Sequence, residues 1–372
     1  MTTPAPAPAA PPPGRSGWLF SPEIDLLVFG GTAALALLAV LLAPHLGVTG
    51  GASPEWSWIV GVLLVDVAHV WSTVFVVYLD PFERQRRPRL YALVPIGCYL
   101  VGVVGYQLGA EVFWRGVAYL AIFHFVRQQW GWVAMYRARH GERDRLGRWI
   151  DAAAVYAATL YPLVVWHTQL PRAFWWMREG DLAAGVPTKI ADVAAVLYLL
   201  IGAAYLGRAG WQAWRGQVSW GKHLVVLSTA ACWYVGIVAT NSDFAFTVTN
   251  VFIHGVPYLV LVFVYTRTAA RVDPRSRGLG ASIVQRGFLA FAATCWALAY
   301  VEELLWDRMV WHDRPWLFGL GDDLGGGVTA LLVPLLIVPQ LTHYVLDAFL
   351  WRRAANPRLG QLLAPAQADA PP

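Results

Sequence analysis

Four histidines, His69, His124, His254 and His343, each stand well inside a different long apolar segment. An ionisable side chain at bilayer depth is costly unless paired or ligated, so it marks a function by default. Counted from the same side of the membrane, His69 and His124 lie about twelve residues in, His254 about eleven and His343 about fifteen. At a rise of about 1.5 Å per residue, all four fall within roughly 6 Å of one level. That common depth points to one site shared by four rings. The bland alternative is that each ring donates to a neighbouring carbonyl and does nothing more. His45, His140, His167, His223 and His312 fall in loops or at segment ends, where solvated or headgroup-level positions are expected.

The neighbours of these histidines are polar in a way that suits ligation. A metal-bound imidazole usually donates its second ring N–H to a carboxylate or carbonyl, which orients the ring. Asp66 lies one turn before His69 and Asp347 one turn after His343, while Asn250 and Tyr258 flank His254 at i−4 and i+4 on the same helical face. His124 is followed by Arg127, Gln128 and Gln129. Asp66, Asp347 and Tyr258 are therefore the candidates to assist the histidines. The two carboxylates could instead close salt bridges, for instance with Arg127.

An all-nitrogen donor set suits iron, copper or zinc. Ferrous iron with dioxygen, acting on an apolar substrate that arrives from the bilayer, is the expected pairing. The same histidines could clamp haem, relay protons, hold a transported ion, or act as interhelical glue in a non-catalytic scaffold. Transport usually brings internal repeats and broken helices; no repeat is evident, and Pro257 after His254 is a possible break beside the cluster. Cys98, Cys232 and Cys295 lie inside apolar segments and form neither a CxxC pair nor a disulfide framework.

The elements that position these residues are membrane-spanning helices. The chain is 57% hydrophobic and 14% charged, against about 25% charged in a soluble domain. Segments long enough to span occur at about 26–43, 57–79, 90–109, 112–136, 150–168, 188–208, 223–240, 244–266, 282–303 and 328–350. The expected fold is an all-α polytopic bundle of about ten spans.

Arginine clusters at 84–89, 137–148, 208–215, 267–277 and 352–353 fall in alternate loops, so the positive-inside rule places them and both termini in the cytoplasm. The spans carrying the four histidines then all run in one direction. Residues 18–353 form the helical domain, while the Pro/Ala-rich stretches 1–17 and 354–372 are expected to be disordered tails. The net charge of +5 sits in the arginine loops. It suggests contact with anionic lipid headgroups, with no nucleic-acid surface. The expected location is the cell membrane, the inner membrane of a bacterium.

The windows Asp66–Val67–Ala68–His69, Phe123–His124–Phe125, Phe252–Ile253–His254 and Val338–Pro339–Gln340–Leu341–Thr342–His343, the last running on to Asp347–Ala348–Phe349, resemble in their order the Brp/Blh membrane family of beta-carotene dioxygenases. The resemblance covers about forty residues of the 372, in short motifs. It implies a multi-helix membrane enzyme that holds a non-haem iron with histidines and splits an apolar polyene with dioxygen. By that resemblance His69, His124 and His254 would be iron ligands. Tyr258 stands where the family carries a further histidine, and Thr73 where it carries an aspartate. Asp347 follows His343 by four residues, one fewer than in the family. His343 is then the residue placed to supply the fourth ligand.

Overall fold

The structure, a computed structural model, describes residues 17–48, 53–322, 324–352, 355, 356, 358 and 359. It is 79% helical, with no strand among the described residues, so the chain is an all-α polytopic membrane protein. Among the described residues, nine helices are long and apolar enough to cross a membrane: α1 Pro22–Leu42, α2 Glu55–Val77, α3 Pro88–Gln107, α5 Arg145–Thr168, α6 Thr188–Trp214, α7 Trp220–Ala239, α8 Asp243–Val272, α9 Phe288–Trp311 and α10 Gly326–Leu350. Between α3 and α5 runs α4, Ala110–His140, an unbroken helix of 31 residues. It has the length of a span, but Arg127, Gln128 and Gln129 make it more polar than the others. It occupies the place of the tenth expected segment.

Burial sorts the helices into layers. In α8, 72% of the most apolar stretch is buried, whereas in α6 the figure is 6% and in α3 11%. Thus α8 is the central post, contacting α1, α2, α4, α7 and α9, and α6 and α3 present their leucines and valines outward, as lipid-facing helices do. Between helices in lipid the hydrophobic effect offers little, so close packing of small residues matters more. Gly255 illustrates this: a Cβ there would come within 2.6 Å of Val65 Cγ1 and 3.2 Å of Val65 O. The missing side chain lets α8 lie against α2 next to His254. Pro257 lies within the continuous α8 and does not break it. A real interruption occurs in α10, where the helix turns at Ile337 between Pro334 and Pro339.

On the arginine-rich end, α4, α5, α6 and α7 are joined by a buried ion network. The Lys222 Nζ lies 2.8 and 2.7 Å from the two carboxylate oxygens of Glu142 and 3.1 Å from Asp151. Arg137 and Arg208 pair with the same two carboxylates and with Asp144. Burial would raise the Glu142 carboxyl, but Lys222, then Arg137 and Arg208, outweigh it and hold it below its ordinary value.

Two expectations need correction. The last packed residue is not at 353: Asn356 is fully buried and donates to Tyr265 Oη at 2.9 Å, Leu359 is buried, and Arg358 donates to Ser276 Oγ at 3.0 Å. Residues 1–16, 354, 357 and 360–372 of the expected tails lie outside the described residues. His223 is not solvated either; it is buried at the start of α7 with its Nδ1 2.6 Å from Tyr205 Oη.

Candidate metal centre

The four histidines come together. His69 from α2, His124 from α4, His254 from α8 and His343 from α10 are each no more than 6% exposed. His69 Nε2 lies 3.1 Å from His254 Nε2, and His343 Nε2 lies 3.2 Å from His124 Nε2. Ligand nitrogens of His69, His124 and His343 all fall within 4.8 Å of one another, and ring centroids 4.7–5.1 Å apart link His254 to His69 and His124. Each ring is set by its own helix and by a neighbour. The His254 ring stacks on Phe125 at 3.5 Å, and Gln128 Nε2 donates to the His254 carbonyl at 2.8 Å. The His124 ring stacks on Tyr344, whose hydroxyl accepts from Gln340.

The separations suit a shared ion. With metal–nitrogen bonds of about 2.0–2.1 Å, two ligands sit about 2.9 Å apart at a right angle and about 3.4 Å apart at the tetrahedral angle. The observed 3.1 and 3.2 Å fall between.

Tautomers agree with this geometry. An imidazole that offers Nε2 to a metal carries its proton on Nδ1. His343 Nδ1 faces Thr73 Oγ1 at 2.8 Å, Thr73 Oγ1 is 3.2 Å from Tyr258 Oη, and Tyr258 donates to Asp347 Oδ1 at 2.6 Å. Run in that order, His343 donates to Thr73, Thr73 to Tyr258 and Tyr258 to Asp347, and every proton has one acceptor. Trp351 Nε1 closes the chain, donating to Asp347 Oδ1 at 3.1 Å. On the other side, His69 Nδ1 faces Asp66 Oδ1 at 3.6 Å. Those two atoms and His254 Nδ1 are buried without a hydrogen-bond partner.

The three assisting residues expected from sequence are thus beside the histidines, but their partners differ from simple neighbour logic. Asp347 lies 3.8 Å from His343 Nδ1 and reaches it through Tyr258 and Thr73. The Tyr258 hydroxyl is directed to Asp347, not to the nitrogen cluster. Asn250 does not support His254, because its amide donates to the Phe246 carbonyl one turn back at 2.9 Å. Arg127 pairs with neither aspartate; it is exposed and donates to Tyr156 Oη.

Sequence reasoning missed Thr73 and Trp351 as working parts. Thr73 follows His69 by four residues and Trp351 follows Asp347 by four, so the i,i+4 rule could have flagged both. It also missed Glu302 on α9, which accepts from Trp71 Nε1 at 2.5 Å and from Trp306 Nε1 at 3.4 Å.

A cavity of about 860 Å³ opens beside the cluster, with His124, Tyr258 and Asp347 on its wall. Compared with protein-family models, curated proteins and solved structures, the chain matches none.

Proposed function

We propose that this chain is an integral-membrane metalloenzyme of the oxygenase type, in which His69, His124, His254 and His343 hold one metal ion, iron above zinc or copper, next to a lipid-soluble substrate. The meeting of four imidazoles from four helices carries the reading: ligand nitrogens of His69, His124 and His343 lie within 4.8 Å of one another, and His254 Nε2 is 3.1 Å from His69 Nε2. Bound iron would supply dioxygen activation for oxidation of that substrate. The protein's own contribution is to fix the His343 imidazole in one tautomer through Thr73, Tyr258 and Asp347, to keep bulk water from the buried rings, and to leave a cavity against His124 where substrate can lie.

Several rivals lose ground on geometry. Two histidines that clamp a haem stand on opposite faces of the porphyrin, with Nε2 atoms about 4 Å apart, twice the metal–nitrogen bond. The pairs here are closer, and the other two rings occupy the space a macrocycle would need. A purely structural role would fit better had each ring nitrogen found its own carbonyl, yet His69 Nδ1 and His254 Nδ1 remain without partners. The Brp/Blh resemblance supports iron and dioxygen from the order of the histidine windows. Carotenoid cleavage is one member of the proposed substrate class. Metal analysis of the purified protein tests the reading: about one iron per chain is expected, and protein purified free of metal that also takes up none on incubation with Fe(II) or Zn(II) would overturn it.

A further inference from the structure

The cavity beside His124 has a direction. Its wall on α4 includes a stripe through Leu120, His124, Gln128, Gly131, Met135 and Arg139, at the i, i+3/i+4 spacing of one helical face. From His124 to Arg139 the helix rises about 22 Å at 1.5 Å per residue. Half of a bilayer with its headgroups is about 20–22 Å. The cavity therefore has the length of one leaflet, with the histidines at the deep end.

Its two ends differ in chemistry. Near the histidines the wall mixes Leu120, Phe123, Tyr344 and Phe349 with the polar groups of Arg127, Gln128, Tyr258 and Asp347, and Phe123 and Phe349 are 60% and 37% exposed at that end. At the far end stand Arg139, Arg148 and Arg352. Arg139 donates to the Trp18 carbonyl at 3.0 Å, whereas Arg148 and Arg352 are exposed and make no side-chain ion pair with the described residues. This contrasts with Arg137, Arg208 and Lys222, which the ion network consumes. Exposed Trp149 and Trp214 lie at the same end of the bundle, at the level where such rings meet headgroups. The floor is kept open at Gly131, where an added Cβ would meet no atom within 4 Å.

We infer that this cavity binds one membrane lipid with an anionic headgroup, held head-outward by Arg148 and Arg352 and laid along α4 so that its hydrocarbon chain ends against His124. The cavity of about 860 Å³ running along α4 has room for the hydrocarbon chain, with the headgroup outside at the arginines. The idea deepens the proposed function by naming the substrate class, and it rests on that reading only for what happens at the buried end; the binding itself needs no metal.

The test is a native mass-spectrometric titration of the detergent-purified full chain with phosphatidylglycerol and with phosphatidylcholine of the same acyl chains, with metal per chain measured on the same samples. One phosphatidylglycerol should be retained about tenfold or more tightly than phosphatidylcholine, since each interfacial arginine contributes a several-fold preference. Gly131→Leu should abolish retention of both lipids. The double variant Arg148→Gln/Arg352→Gln should keep a bound lipid but bring the two affinities within about twofold. Metal content should be unchanged in every variant. Equal affinity for the two lipids in the unaltered protein, or retention undiminished by Gly131→Leu, would overturn the proposal. Metal-free protein that still selects phosphatidylglycerol supports it and removes the metal reading; metal-loaded protein without selectivity does the reverse.

Discussion

His343 Nδ1 lies 2.8 Å from Thr73 Oγ1, which joins α10 to α2 at the level of the histidine cluster. In the donor order that ends on Asp347, this contact leaves the proton on His343 Nδ1 and Nε2 free for a metal. Thr73→Val keeps the shape and removes the acceptor. Loss of such an orienting partner typically costs 10–100-fold in metal affinity. We expect that loss in competition with a chelator, a melting temperature close to that of the unaltered protein, and recovery in Thr73→Ser. Unchanged affinity in Thr73→Val would show that the hydrogen bond does not set the ring.

On the proposed reading, His124→Ala should lose metal binding while remaining folded in detergent. Each ligand supplies much of the ion's binding energy, whereas insertion of α4 depends on the whole length of the segment. Iron content and thermal unfolding measured on one preparation decide the matter. A large drop in melting temperature with metal retained would assign His124 a structural role.

Tyr258→Phe removes the donor to Asp347 and leaves that buried carboxylate with Trp351 alone. A buried polar group that loses its partner costs about 1–3 kcal/mol. The variant should melt lower by an amount in that range and bind its metal more weakly, because Thr73 loses the acceptor that leaves its oxygen free to accept from His343 Nδ1. Complete loss of metal in Tyr258→Phe would instead make the tyrosine a ligand.

Gly255→Ala forces a methyl group against Val65 at the α8–α2 contact. Overpacking of this kind costs about 1–3 kcal/mol. Because the next residue back is His254, partial loss of metal should accompany the lowered melting temperature. A variant as stable and as metal-rich as the unaltered protein would show that the two helices can separate freely.

The ion network at the arginine-rich end predicts a pH dependence. Glu142 is held below its ordinary value, so its stabilising contribution is present above the unfolded carboxyl pKa and disappears as pH falls through the folded value. The melting temperature should be nearly flat from neutral pH to about 5 and drop below about pH 4.3, the unfolded reference for glutamate. Glu142→Gln should start lower and lose less on acidification. Identical acid profiles for the two proteins would remove Glu142 from the account.

The apolar runs, the alternating arginine loops and the matching depths of His69, His124, His254 and His343 were all legible in the chain. They determined an all-α membrane bundle and one histidine level, because apolar length and distance from a helix end are local quantities that each segment carries by itself. Rotation of each helix about its axis is not local. It depends on contacts such as Gly255 against Val65 and on the turn at Ile337, which bring rings from four helices to one place. For the same reason only the tertiary structure decided that Thr73 links His343 to Tyr258, that Asn250 turns back to its own helix, and that Arg137, Arg208 and Lys222 point inward while Arg148 and Arg352 stay outside. In lipid a polar group must find its partner among whatever neighbouring helices present to it, and that choice is made between segments, not within one.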